Sequence, residues 1–226
     1  MSNWERFIDT FFNAQVMARY LPDILYGTLI TIQLAALVIA SGLVAGLALA
    51  LVRSLGLRPV NLLIVFTVDL FRALPPLVII VFIYFGLPTA GISPSSFVST
   101  WLSLTLVLMA FSEEIFWAGI ISIPKGQWEA ARSTGLSYGQ ALLNVVLPQA
   151  VRLTIPPLTN RTIAITKGTA LGSVVALSEV LGMASSAVSN SYNPSPLTLG
   201  AAAYVILFFP MVVLGRWLET RMRWKR

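Results

Sequence analysis

Cysteine and histidine are both absent from the 226 residues. Without cysteine there is no disulfide, no thiolate metal site and no thiol nucleophile. Without histidine there is no Ser-His-Asp catalysis, no imidazole metal ligand and no ordinary pH switch. Charge is scarce as well. Only 11% of the residues are charged, against about 25% in soluble domains. No Gly-x4-Gly-Lys-Ser/Thr run occurs, so the chain has no P-loop for ATP. Any use of ATP would need another subunit.

What is present is apolar. The chain is 57% hydrophobic with a mean hydropathy of +0.82, which makes it an all-α, polytopic membrane protein. Its formal charge is +6, but the basic residues flank apolar runs instead of forming a stripe, which argues against nucleic acid and for membrane lipid.

Five spans are predicted. Residues 1–21 lack the features of a signal peptide. Trp4, Phe7, Ile8, Phe11 and Phe12 recur there at helical spacing among Glu5, Arg6 and Asp9, the pattern of an amphipathic helix at a membrane surface; a frayed tail is the plainer alternative. The first span, Ile24 to Val52, has no charge, and Gly42 and Gly46 give it a face for close helix packing. The second, Val60 to Leu87, holds Asp69, Arg72, Pro75 and Pro76 and cannot be one straight helix. Phe97 to Ile121 is the third. The fourth begins near Ala150, carries Arg152, Pro156, Pro157, Arg161 and Lys167, and cannot face lipid all round. The polar stretch Ser185 to Pro196 reads as a loop, and Leu197 to Leu214 is the fifth span. The core is thus 22–218, followed by a basic tail at 219–226.

Basic residues set the orientation. They are missing from Leu87 to Ser96 and from Ser185 to Pro196, and they occur at Arg53, Arg58, Lys125 and Arg132 and five times in the terminal RWLETRMRWKR. The N-terminus is expected outside and the C-terminus in the cytoplasm.

The longest polar interval, 122–148, lies between the third and fourth spans. Pro124 and Gly126 end the apolar run, Gln127 to Thr134 reads as a short helix, and Gly135 suits a left-handed stop. Glu129 and Arg132 are spaced to pair. Ala130 and Ala131 leave a side without bulk for another chain to approach. Ser137 and Gln140 form a capping box that starts a second helix, which Pro148 breaks or kinks. The plainer reading is a surface loop joining two spans.

Charges at membrane depth cost roughly 2.5–3.5 kcal/mol each on insertion scales, so Asp69, Arg72, Glu113, Glu114, Arg161, Lys167 and Glu179 must pair or face water. Asp69 with Arg72 is one candidate internal pair. Arg72, Glu113, Glu114, Trp117 and Lys167 are candidates for a polar pathway; cations and anions together suit a solute carrying both charges. Glu113 and Glu114 point about 100° apart on a helix, so they do not share one site. Trp117, three residues after Glu114, either walls that pathway or simply packs.

The stretch Glu129 to Pro148 runs Glu-Ala-Ala, three residues, Gly135, nine residues, Val145-x-Leu147-Pro148. It resembles the Glu-Ala-Ala loop of the permease subunits of ATP-binding-cassette importers, with Val145 where the family writes Ile. Further segments are similar to the polar amino acid branch of that family, which includes histidine, glutamate, glutamine, arginine and opine permeases: Tyr26-x-Gly-Thr-x-x-Thr31, Phe71-Arg72-Ala73-Leu74-Pro75, Ile123-Pro124-Lys125-Gly126-Gln127, Leu147-Pro148-Gln149-Ala150, and Ile155-Pro156-Pro157-Leu158-Thr159-Asn160.

The resemblance implies a type I importer permease fold in a bacterial cytoplasmic (inner) membrane, without enzymatic activity of its own. It implies import of polar amino acids or derived compounds such as opines. Gln127, Glu129, Ala130, Ala131, Gly135, Leu147 and Pro148 would couple to ATPase subunits that bind ATP and Mg. The other implied partners are a second permease, alike or different, and a periplasmic or lipid-anchored solute-binding protein. Two departures stand out. Glu114-Ile115-Phe116-Trp117-Ala118 replaces Glu-Ile-Phe-Arg-Gly, and Lys167-Gly168-Thr169-Ala170-Leu171 replaces Lys-Asp-Thr-Ser-Leu. An Arg and an Asp of the pattern are absent and Glu113 is additional, which leaves the solute open. Two rivals remain: an ion- or proton-coupled secondary carrier using Glu113 or Glu114, and a non-transporting anchor for an ATPase. Five spans without a convincing internal repeat count against the carrier.

Overall fold

The computed structural model describes residues 2–222, and among them every regular element is helical. Four stretches are long and apolar enough to cross a membrane, and a fifth qualifies as a helix pair bent by 101°. The many exposed large apolar side chains, such as Leu62, Phe82 and Ile206, suit surfaces that face lipid.

Helix α1 (Asn3–Phe11) opens on a capping box between Ser2 and Glu5. Helix α2 (Ala14–Ser54) begins ten residues before the first span predicted at Ile24, with Pro22 inside it. Helix α3 (Arg58–Ala73) stops at Leu74, which is extended ahead of Pro75. This is the conformation that a residue before proline is pushed into. Helix α4 (Pro76–Val81) restarts at once and runs through a wide turn, 82–86, to a tight one, 87–90. Helices α5 (Ser96–Ser122), α6 (Lys125–Ser133) and α7 (Tyr138–Ala141) follow.

Helix α8 (Leu147–Thr166) is reached without an interruption of the helical path. Of the break or kink expected at Pro148, the break does not occur. A five-residue turn of wider, i→i+5 type at Leu142–Val146 precedes it, and Pro148 then sits in the first turn of α8, where a missing N–H is tolerated. A tight turn at Lys167–Val175 leads to α9 (Val180–Ser191) and α10 (Ser195–Met222). The predicted loop at 185–196 is therefore mostly helix. Serine hydroxyls here bond back to their own helix, as Ser191 Oγ does to the Ala187 carbonyl at 2.7 Å and Ser189 Oγ to the Ser185 carbonyl at 3.1 Å, which lets a polar composition remain helical. Of the tail's five basic residues, Arg223, Lys225 and Arg226 lie outside the described residues.

The chain forms two compact units. The first comprises residues 1–38, 75–104 and 165–211. Glu179, fully buried, caps α9 by accepting from the Gly182 N–H at 2.8 Å, and also accepts from the Tyr204 hydroxyl at 2.5 Å. Gly27 lies against the Glu179 backbone and Met183. The segment between α1 and α2 is tied to the start of α10, with the Asn13 N–H donating to Ser195 Oγ at 2.9 Å and Thr198 Oγ1 donating to the Phe11 carbonyl at 2.6 Å. The N-terminal segment is thus an anchored helix, not a frayed tail.

The second unit comprises residues 39–74, 105–164 and 212–226. Its core gathers Ala50, Phe116, Ile120, Leu142, Val146 and Ala150. Close packing of α2 on α5 depends on Gly42 and Gly46. A Cβ at 46 would lie 2.6 Å from that of Ser112 and 2.9 Å from the Glu113 nitrogen, so the small residues set the approach of the two helices. Gly46→Leu should therefore cost about 1–3 kcal/mol by overpacking and lower the thermal unfolding midpoint in detergent. Gly139→Ala, where a Cβ meets nothing within 4 Å, should leave that midpoint nearly unchanged.

Candidate functional site

Two features of the second unit could carry function: a polar loop and a set of ionised side chains on α2, α3, α5 and α8.

The loop has the anatomy expected of it. Helix α6 ends at Thr134, and Gly135 has φ +90°, a left-handed conformation in which a Cβ is strained. The Ser137–Gln140 capping box forms in both directions. The two alanines serve different ends, because neighbouring helical positions face apart: Ala131 is buried in this chain, whereas Ala130 is exposed beside Gln127 and Glu129. Glu129 and Arg132 do not pair, contrary to their spacing; among the described residues the ion pairs lie elsewhere. Leu147 is half-buried and Pro148 exposed.

Long-range contacts that local spacing cannot show hold the loop in place. Trp128 stacks on Tyr138 with ring centroids 5.1 Å apart, and the Tyr138 hydroxyl donates to the Ser54 carbonyl at 2.6 Å. Gln149 Nε2 donates to Gln127 Oε1 at 3.3 Å. The helix pair is thereby fastened to the last residue of α2.

One residue earlier, Arg53 Nη1 reaches both oxygens of Glu113, at 3.0 and 3.2 Å. The Glu113 side chain is 0% exposed and that of Arg53 19%. The same guanidinium lies 4.7 Å from the centre of the Trp117 ring. Trp117 therefore packs beneath Arg53, in keeping with the packing alternative for that residue. Asn61 Nδ2 donates to the Arg53 carbonyl at 3.0 Å, closing the turn between α2 and α3.

Glu114 points to a different partner. It pairs with Arg72, which also meets Asp69 at 3.6 Å. The side chains here are more open: 45% for Glu114, 35% for Arg72 and 65% for Asp69. Thus Arg72, Glu113, Glu114 and Trp117 come together in one unit, with Arg53 as the member that sequence reasoning missed. Its partner lies 60 positions away, and nothing local announces it. Lys167 belongs to the first unit, where it is exposed and forms no ion pair among the described residues. A cavity of about 470 Å³ in that unit, bordered by Ser173, Leu177 and Ser185, has no charged lining. No group of three or more potential metal ligands occurs among the described residues.

Helices of membrane length, interior ion pairs and a capped polar helix pair between two spans define a polytopic membrane transport component. The chain belongs to the family of binding-protein-dependent transport system inner membrane components, whose sequence model matches residues 42–224. It is similar to a probable glutamine ABC transporter permease protein of Bacillus subtilis, 34% identical over 193 residues, covering 85% of this chain and 89% of that one. It is also similar to an arginine transport system permease protein of Bacillus subtilis, 32% identical over 205 residues, covering 90% and 94%. Among solved structures, an amino acid ABC transporter crystallised with histidines matches at a TM-score of 0.82 and 30% identity, covering 91% of this chain and 96% of that one. The chain is accordingly an all-α ABC importer permease of type I fold, and the ion-coupled carrier is set aside.

The Arg53–Glu113 pair yields a direct check. Removing one partner strands a buried charge and should cost about 3–5 kcal/mol, whereas replacing both with apolar residues is often neutral. Arg53→Met alone, which strands the fully buried Glu113, should sharply lower the unfolding midpoint of the purified complex, and Arg53→Met together with Glu113→Leu should recover most of the loss.

Proposed function

We propose that this chain imports polar amino acids or amino-acid-derived compounds such as opines, driven by ATP that partner ATPase subunits bind with Mg and hydrolyse. The permease itself performs no chemistry. The observation that carries the reading is the exposed Gln127-Glu129-Ala130 face of a helix fastened by Trp128 and Tyr138 to the end of α2. Such a helix can be gripped from outside and its displacement is felt within the unit.

In this reading Gln127, Glu129 and Ala130 meet the ATPase. Ala131 permits the helix to pack tightly on its own chain, and Gly135 fixes the turn. Leu147 and Pro148 set the start of α8. ATP closes the ATPase subunits, the loop moves as a lever, and the permease passes between outward-open and inward-open states biased by nucleotide. An external binding protein delivers solute, and a second permease completes the complex. The N-terminus lies outside and the C-terminus in the cytoplasm, following the basic residues. Helix α1, with Trp4, Phe7 and Ile8 exposed, rests in the lipid interface.

Glu129→Lys should uncouple the complex, so that membrane insertion is retained and solute uptake is lost. Pull-down of the variant in gentle detergent, with ATPase subunits counted, reports the coupling directly. Normal uptake by Glu129→Lys would remove the lever assignment.

A further inference from the structure

Arg161 is a cation with no ion-pair partner among the described residues. It lies in α8, half-buried, and its guanidinium carbon sits 3.8 Å from the centre of the Phe111 ring on α5. At that separation the guanidinium stacks on the ring face. Stacking satisfies one face of the group and none of its five N–H donors, which project around its edge. Among the described residues no carboxylate pairs with it. An ionised arginine on a membrane helix calls for an acceptor.

The rest of that ring's surroundings is complementary. The Arg72 guanidinium lies 5.5 Å from the Phe111 centre. Arg72 is shared by two carboxylates, Asp69 and Glu114, so that trio carries one excess negative charge. Phe111 and Glu114 are three residues apart on α5 and therefore neighbours on its surface. An unpaired cation thus shares one aromatic ring with the arginine of an anionic trio, while Glu113 is sealed against Arg53 and has nothing to offer.

We infer that Arg161, Phe111 and Glu114 form a binding site for a zwitterionic amino acid. The Arg161 edge takes the α-carboxylate through two parallel hydrogen bonds, and Glu114 takes the α-ammonium. Phe111 holds the guanidinium in place and covers the solute's apolar stem. The inference rests on the amino acid reading above and assigns the contacts within it.

The test is equilibrium dialysis of radiolabelled L-glutamine and L-arginine against the purified complete transporter, with the binding protein omitted. Arg161→Gln should bind roughly tenfold to a hundredfold more weakly than the parent, the effect of losing a charge-assisted hydrogen bond, and Arg161→Lys should recover part of the loss. L-glutaminol, which lacks the carboxylate and competes for the same site, should bind the parent and Arg161→Gln about equally. That pattern is one a merely structural arginine would not produce. If Arg161→Gln does not assemble, Arg161→Lys with the same pair of probes carries the comparison. Unchanged amino acid affinity in the Arg161 variant overturns the assignment, whether the guanidinium then holds a lipid phosphate or a carboxylate of the second permease. If the parent binds neither amino acid, the amino acid reading itself fails and the site falls with it.

Discussion

The contact between Arg53 and Glu113 is the one on which the second unit depends. A carboxylate with no exposure on a membrane helix is tolerated only with a partner that satisfies both oxygens, and Arg53 does so at 3.0 and 3.2 Å. The pair locks the end of α2 to the middle of α5 where Gly42 and Gly46 bring the two helices together. The adjacent Ser54 carbonyl receives the Tyr138 hydroxyl, and Tyr138 stacks on Trp128 of the polar loop. One turn of helix therefore joins the loop to the ionised interior.

That arrangement divides the two neighbouring glutamates by task. Glu113 is structural in its surroundings, buried and held by Arg53. Glu114 faces the other way and stays partly open beside Arg72. The 100° step between successive helical positions is what separates them, and it permits two ion pairs of different character within one turn.

Local chemistry made much of this legible. Gly135, the Ser137–Gln140 box and the Asp69–Arg72 pair all act over a few residues, and each appears as its spacing predicts. The broken second span follows from Pro75 and Pro76 for the same reason. The errors also have causes. Pro148 reads as a break or a kink, but the wide turn before α8 accommodates it without a break. Serine-rich residues 185–191 were read as loop, because composition does not reveal hydroxyls bonded back to their own helix. Arg53 with Glu113, Trp128 with Tyr138 and Arg161 with Phe111 are tertiary meetings, invisible to any pattern along the chain. Trp117 illustrates the difference: its position beside Glu114 in sequence suggested one neighbour, and the fold supplies Arg53 instead.

The absence of native cysteine makes the docking of the loop directly measurable. Ala130→Cys would be the only thiol in the chain. In inside-out vesicles, a membrane-impermeant maleimide should label it after the ATPase subunits are stripped away and should fail to label it when they are bound. In intact cells, where only the outer face is reachable, it should remain unlabelled. Equal labelling with and without the ATPase, or labelling from outside, would contradict the account.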